Sequence, residues 1–545
     1  MESHGKVCII DIETDGLDAS VIHCVGAKPC GEGVREFLSR DEFKRFISQF
    51  DFVVAHNGVS FDFPMLRKLW GVSIPFDKQV DTLILSRMSR PDREKGHSLQ
   101  SWGEKLGHKK MEYDGPWDVC TVEMIEYCKQ DVLVCELVYK TLLEEMKKFT
   151  TVSVRDEHRM QQLADHVQGN GFYFDLGKAH KFLYKLLGEQ EEIKLQMQDV
   201  FPPTVVELKT KTKEIPFNPA SRKQIGERLM EKGWKPKAKT PTGKPQVDEA
   251  ILEKLDIPEA QVLARYFMLQ KRTGLLESWI KACGEDRRVR CTYHTLGAIT
   301  NRMSCSSPNL QQVPSMRKPY GFECRELWHC EDGNKLIDTD ANSLELRVLA
   351  HYMNDEAFTK EVLEGDIHTE NQRRAGLPTR DAAKTFIYAL LYGAGDAKLG
   401  TVVGGNEADG RRLREAFLSS LPAFRRLREA VNAKGGSEGT LKGLDGRVLH
   451  VRHSHASLNT LIQGSSAILM KKWFMNTART LKARKTGAKV VAMVHDEIVI
   501  ESPKKSVDSV HECVKLSIAQ VNNEYKLRCQ LDCDVDIGNN WSEVH

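Results

Sequence analysis

Several features that would fix a protein class at a glance are missing from this chain. None of its fourteen cysteines forms a Cys-x-x-Cys pair and no secretory signal opens it. Neither a disulfide framework nor a zinc ribbon is therefore expected, and reduced thiols in a cytoplasm are. No apolar run reaches the roughly 18 residues of a membrane span, which predicts a soluble protein with no membrane partner. Charge of one sign is also lacking: 79 Lys and Arg face 76 Asp and Glu, a net of +3, so no global field announces a polyanionic partner. The asymmetry is local. Residues 205–245 hold eleven Lys or Arg against four Glu, with Pro and Thr between them, a basic, loop-rich strip that suits either a solvated surface or phosphate tracking. At 545 residues the chain is long enough for two to four well-filled domains.

Carboxylates are present in telling places. Residues 7–12 are apolar except for Asp11; as a strand, their alternation puts Asp11 and Glu13 on one face, about 7 Å apart at the Cα atoms. Residues 52–55 read as a second strand running into the turn at Asn57 and Gly58, with Asp62 close behind. Tyr127 and Asp131 lie four apart in the helical pattern of residues 122–143 and share a face. A pair of divalent ions about 3.5 to 4 Å apart needs several hard oxygen ligands from different elements, and Asp11, Glu13, Asp62 and Asp131 meet that need. Asp-x-Glu, Asn-x4-Asp and Tyr-x3-Asp in this order resemble the proofreading exonucleases with four acidic residues and a tyrosine, and residues 97–107 resemble their helical connector. The resemblance implies a ribonuclease H-like 3′–5′ exonuclease domain over residues 1–150, with two Mg2+ ions and Tyr127 positioning the attacking water.

The middle of the chain reads as helices over 155–171 and 178–200, the second stopped by Phe201, Pro202 and Pro203. After the basic strip, Ser221 is a candidate cap for a further helix, and residues 251–279 add two more. Such helices, joined by a basic and proline-interrupted loop, suit an arm that grips duplex backbone without reading sequence. Residues 290–314 are short and polar, too polar for a core. Arg302, Asn309 and Gln312 there can donate toward a minor groove, whose acceptors are nearly the same for every base pair.

In the carboxyl half, residues 336–341 read as a strand, and Asn342 or Ser343 reads as the cap of a helix with Glu345 in its first turn. Asp340 thus sits where a strand gives way to a helix, by itself an ordinary capping position. Thr379 caps a helix that Gly393 ends, and on it Arg380, Lys384, Tyr388 and Tyr392 recur every four residues as one stripe with about 6 Å between neighbours. Two cations below two aromatics match a nucleoside triphosphate: Arg and Lys on the phosphates, Tyr388 beside sugar and base, Tyr392 near the template base. His368 could add a third phosphate donor. Residues 489–501 read as a hairpin with His495, Asp496 and Glu497 at its tip. Asp496 there would supply a second carboxylate opposite Asp340 for two magnesium ions.

Together, residues 365–372, 377–388, 443–447 and 458–463 resemble family A DNA polymerases over nearly the whole chain, and most closely the replicative polymerases of short-tailed phages that recruit thioredoxin. The implied fold is α/β and multidomain, with the exonuclease domain followed by a right hand: thumb 151–289, palm 290–352 and 453–545, fingers 353–452. The resemblance further implies that Asp340, Asp496 and the Ala341 carbonyl bind two Mg2+, Mn2+ being a substitute. Glu345 would block a ribose 2′-hydroxyl, and Arg302, Gln463, Gln312 and His495 would touch DNA. Tyr388, where other members carry Phe, implies acceptance of dideoxynucleotides. Primer-template DNA, dNTPs and a replicative helicase and primase are the expected partners, in the cytoplasm of a host cell if the gene is a phage's. No 5′-nuclease domain is expected. Residues 201–217 leave no room for the thumb insertion of the thioredoxin-recruiting relatives, so thioredoxin is not expected, and the connection at 431–441 is shorter than theirs. Asp338 shares a strand face with Asp340 where relatives carry a small residue; either it supports the metal site from behind or it perturbs it. The competing readings are a single-subunit RNA polymerase, against which Glu345 and the exonuclease motifs speak, and a non-catalytic DNA-binding relative.

Overall fold

A computed structural model describes residues 5–207 and 212–544. The chain divides into two compact units, one made of Met1–Asn170, Thr292–Ser306 and Ile337–Asp536, the other of Gly171–Cys291, Ser307–Leu336 and Ile537–His545.

The first unit is built on two larger sheets, beside two two-stranded ones. In the amino-terminal one the strands run in the order Arg35–Phe37, Ile22–Pro29, Val7–Thr14, Phe52–Ala55, Gln79–Asp81. The first three pair antiparallel and the last two join in parallel. Ile9, Ile10, Val53 and Val54 are fully buried in this sheet, as expected of a strand core covered on both faces. The helix Val122–Glu145, capped by Thr121, packs across Val7–Thr14 and Ile22–Pro29. It contributes Val132, Val134 and Val138 to the same core.

The second sheet has the order Lys489–Val494, Glu497–Pro503, Asn334–Ala341, Cys533–Gly538. Val507–Tyr525 packs on Glu497–Pro503, the helix Ser457–Ala483 packs on Val507–Tyr525, and Leu344–Met353 packs on Ser457–Ala483. Helices from Glu356–Glu364 to Pro422–Glu438 follow one another between these parts. Thr151–Asn170 packs against Lys489–Val494, Thr292–His294 and Ser457–Ala483. A buried charge network fastens it: Glu157 accepts from Lys471 at 2.7 Å and from Arg447, whose other nitrogens hold Asp445. Ions so deeply buried persist only when paired in this way.

In the second unit the helices Leu176–Val200 and Pro258–Ala282 pack together. A sheet of Trp328–His329, Phe172–Phe174 and Arg288–Val289 carries a cluster of Phe172, Phe174, Trp279, Trp328 and Trp541 rings. Ser221 caps Arg222–Glu231 through its side chain, as expected. Within the basic strip Thr204–Glu207 and Thr212–Ile215 form a hairpin, and Lys213, Lys235, Lys237, Lys239 and Lys244 are exposed. Lys209 and Lys211 of that strip lie outside the described residues.

Two sequence expectations need correction. The segment 290–314 is not excluded from the core: its hairpin of Thr292–His294 and Ser304–Ser306 buries Tyr293, Leu296 and Cys305 together with Thr295, Thr300 and Asn301. The polar groups tolerate burial because they find partners. The Tyr293 hydroxyl accepts from the Met493 N–H at 3.1 Å, and the Thr295 hydroxyl donates to Gln161 at 3.1 Å. The helix after Asp340 also starts differently. Ser343 holds the cap position, but in a left-handed conformation (φ 48°) and without a side-chain cap bond. The Asn342 side chain turns away to Asp534.

Candidate active sites

The amino-terminal strand Val7–Thr14 presents Asp11 and Glu13 on one face, as its alternation requires. The turn beyond Phe52–Ala55 is fixed by buried Asp81, which accepts from the Asn57 and Val59 N–H groups at 3.1 and 3.0 Å. That turn delivers Asp62 at the first position of the helix Asp62–Trp70. Asp131 comes from Val122–Glu145.

The four acids feel one another. Burial, then Asp131, Glu13 and Asp62, push the Asp11 carboxyl well above its ordinary value. Burial and Asp131 raise Glu13 to about 8, and burial raises Asp62 to about 7. Asp131 is raised by burial in spite of a cation beside it. Carboxylates that repel in this way make a pocket of negative potential that a divalent cation relieves. Asp131 Oδ1 is buried with no hydrogen-bond partner, a further sign that a ligand is wanted there.

The cation is Lys110, unnoticed in the sequence. Its Nζ lies 2.5 Å from Asp131 Oδ2 and 4.6 Å from the Tyr127 ring centroid. Burial disfavours its charge, but Asp131 and then Tyr127 together outweigh burial and raise its pKa. Lys110 sits in a stretch without regular structure, where periodicity gives no signal.

In the carboxyl half Asp340 is the last residue but one of the strand Asn334–Ala341, and Asp496 immediately precedes the neighbouring strand Glu497–Pro503. The Ala341 N–H donates to the Asp496 main-chain carbonyl at 3.1 Å, and the Thr339 hydroxyl donates to the Ile498 carbonyl at 3.2 Å. Both acids therefore stand at the same end of adjacent strands. His495 at the turn adopts φ 54°, and burial lowers its pKa, favouring the neutral ring. Asp338 is buried, and its Oδ1 accepts from the Thr339 N–H at 2.9 Å.

Glu345 is buried and gripped on both oxygens: Arg302 donates to Oε1 at 2.5 Å and the Tyr392 hydroxyl to Oε2 at 2.9 Å. Burial raises its pKa and nearby Asp496 adds to the rise, while Arg302 and Tyr392 oppose it. Thr379 caps the helix Arg380–Leu391 by accepting from the Ala382 N–H. Arg380 and Lys384 are exposed, and Arg380 pairs with Asp366 at 2.8 Å. Tyr388 lies 6.1 Å from Tyr392 and 6.4 Å from His368, ring centroid to centroid. Burial, then Glu345 and Asp496, raise the Tyr388 hydroxyl to about 12. His368 is buried, its Nδ1 has no partner, and burial and then Arg380 and Lys384 lower its pKa. Gln463 is half-buried on Ser457–Ala483; Gln312, in the second unit, is exposed on the turn Leu310–Gln312.

Residues 191–543 match the family described as DNA polymerase family A. The chain belongs to that family. This family A polymerase is 30% identical to the DNA-directed DNA polymerase of Escherichia phage T7, over 98% of its own length and 100% of the relative's. It is also 30% identical to that of Enterobacteria phage T3, over 90% and 92%. The thermostable DNA polymerase I of Thermus aquaticus is 31% identical over 60% of this polymerase and 42% of that one. Its fold is that of the POL domain of Pol1 from M. smegmatis, solved in complex with DNA primer-template and dNTP, with a TM-score of 0.83 at 18% identity over 100% of this chain and 96% of that one. The polymerase is thus a template-directed DNA polymerase of phage type, a nucleotidyltransferase, in a family that uses divalent metal ions. No helix among its described residues is long and apolar enough to cross a membrane.

Proposed function

We propose that the chain copies a phage-type genome at one site and proofreads at another. The observation that carries the reading is the pairing of Asp340 with Asp496 at one end of adjacent strands, in a chain with a second, separate cluster of four acids. Divalent ions, two at each site, Mg2+ or Mn2+ in its place, would supply charge stabilisation to the transferring phosphoryl group and an activated water for hydrolysis. Asp340, Asp496 and the Ala341 carbonyl would hold the first pair, and Asp11, Glu13, Asp62 and Asp131 the second; all are hard oxygen donors of the kind these ions prefer.

The protein's own residues do the rest. Arg380, released from Asp366, binds the incoming triphosphate with Lys384 and His368, whose neutral ring can donate one N–H. Tyr388 packs on the sugar and base, and Tyr392 lies beside the template base. Glu345 presents a carboxylate wall to the sugar, fixed from behind by Arg302 and Tyr392, so that a 2′-hydroxyl meets an already bonded acid. Arg302, Gln463, Gln312 and His495 contact the primer-template. The primer 3′-hydroxyl gives up its proton to solvent as its oxygen bonds to the α-phosphorus, and the bond from that phosphorus to the bridging oxygen breaks so that pyrophosphate leaves. At the other site Tyr127 orients the water that cleaves the last phosphodiester.

Residues 1–150 then form the exonuclease domain, 151–289 the thumb with its basic arm, 290–352 and 453–545 the palm, and 353–452 the fingers. DNA and dNTPs are the substrates, a helicase and primase the working partners, and the host cytoplasm the place. Added thioredoxin should leave processivity unchanged; a gain in product length would contradict that. Magnesium-dependent extension of a primed template by purified protein tests the synthetic function, and its absence would reject it.

A further inference from the structure

A cavity of about 420 Å3 in the first unit is lined from the helix Asp62–Trp70 and the turn before it, the approach to the strand Gln79–Asp81 and the last turns of the helix Thr151–Asn170. That volume falls within the roughly 300 to 1,000 Å3 of small-molecule sites. None of the residues assigned above to either active site lines it. Val59, Phe63 and Ile74, all buried, give it apolar walls. Asp165, Arg67 and His166 give it polar ones. Asp165 Oδ1 accepts from Gln161 Nε2 at 2.9 Å, but Oδ2 is shut off from water with no hydrogen-bond partner. Burial pushes this carboxyl above its ordinary value in spite of Ser60 and Gln161. A buried acceptor in that state costs free energy that a ligand's donor recovers. The last torsion of an aspartate is broad, so Oδ2 can turn to the cavity at little cost. Arg67 and His166 are exposed, and among the described residues neither side chain has a hydrogen-bond or ion-pair partner.

Two chemistries meet in this one cavity. The carboxylate beside apolar walls calls for N–H donors on a flat, mostly apolar group, while the Arg67 guanidinium and the His166 ring, both N–H donors, call for an anion. A nucleobase that carries a phosphate answers both. Of the four DNA bases, guanine alone sets two N–H donors side by side, N1 and the exocyclic amine; in the others an acceptor that a carboxylate repels stands next to every donor. We propose that the cavity binds a guanine nucleoside monophosphate, with the base edge on Asp165, the ring against Val59, Phe63 and Ile74, and the phosphate on Arg67 and His166. Arginine grips a phosphate through two parallel N–H donors. No metal ion and no acid of the amino-terminal cluster takes part, so the binding does not depend on the proofreading reading.

Calorimetric titration of the full-length chain in chelator, which keeps nucleotides off any metal, tests this with dGMP, dAMP and deoxyguanosine. One equivalent of dGMP should bind, at least about tenfold more tightly than dAMP. Asp165→Asn should weaken dGMP about 10- to 100-fold and erase that preference. Arg67→Ala should weaken dGMP about tenfold and leave deoxyguanosine unchanged. Asp131→Asn, altered in the acid cluster instead, should bind dGMP as the parent does. Absence of dGMP binding, equal affinity for dGMP and dAMP, or dGMP affinity unchanged in Asp165→Asn overturns the proposal. So does its loss in Asp131→Asn, which would put the nucleotide in the acid cluster. Should Asp165→Asn fail to fold, exposed Arg67 carries the test, and unchanged dGMP affinity in Arg67→Ala is the contradicting result.

Discussion

The main-chain N–H of Ala341 donates to the main-chain carbonyl of Asp496 at 3.1 Å, so the two strand ends that bear Asp340 and Asp496 are joined by backbone alone. Removing a carboxylate charge there leaves this hydrogen bond in place. Asp496→Asn should therefore keep the melting temperature of the parent while lowering primer extension by a factor on the order of 10² to 10³ or more. Calorimetry and a single-turnover extension assay on the same preparation check it. A variant that loses stability and activity together would point to a structural role for Asp496.

Glu345 is held by Arg302 and Tyr392, and each grip has its own expected consequence. Glu345→Ala removes the wall and should raise ribonucleotide incorporation by at least about tenfold, close to the 1 to 3 kcal/mol that one contact supplies in discrimination. Tyr392→Phe keeps the wall and frees one oxygen, so a smaller loss of sugar selectivity is expected. Competition between dGTP and GTP on one template measures both. Unchanged selectivity in Glu345→Ala would refute its role.

Lys110 holds Asp131 and faces the Tyr127 ring; under the proposed proofreading function it is a positioning residue. Lys110→Ala should slow excision about 10- to 100-fold, and Lys110→Arg should recover part of it. Its absence also removes the chief influence that lowers the Asp131 pKa. The pH profile of excision in Lys110→Ala should therefore move to higher pH, a shift that a purely structural role would not produce.

The acid cluster links stability to pH with a definite sign. Glu13 and Asp62 rise from ordinary values of 4.5 and 3.8 to about 8 and about 7. A carboxyl raised in the folded state stabilises the fold below its ordinary value, and that contribution fades as pH climbs through the raised one. With chelator present, unfolding of the unit should begin at lower temperature at about pH 8 than at about pH 5. Mg2+ or Mn2+ competes with protons for the same oxygens, so its stabilisation should be larger at the higher pH. A melting temperature indifferent to pH in chelator would contradict the close approach of these acids.

Local pattern carried much of this structure. The strand Phe52–Ala55 has the limits its β-branched run dictates, Thr379 caps its helix through the side chain, and the hairpin around Asp496 is where two apolar runs flank a polar tip. Asp11 and Glu13 needed only the two-residue period of a strand. What stayed hidden was non-local or aperiodic. Arg302 and Tyr392 reach Glu345 from 43 and 47 residues away, a pairing that no window of sequence contains. Lys110 approaches Asp131 from a segment without regular structure. The polar look of residues 290–314 misled because hydrogen bonds, not apolar side chains, make its burial tolerable. Asp338 shares the buried strand with Asp340, as alternation required, and its bond to the Thr339 N–H offers no reason for a second acid there.

The central claim is that one chain holds two separate acid sites, one that builds DNA and one that removes it. A single 5′-labelled primer on a longer template, with Mg2+, tests it most directly, in the parent, in Asp496→Asn and in Asp131→Asn, each with and without dNTPs. The parent should lengthen the primer with dNTPs and shorten it without. Asp496→Asn should only shorten it, and Asp131→Asn should only lengthen it. If either substitution abolished both activities, or if the parent never shortened the primer, the two-site claim would be contradicted.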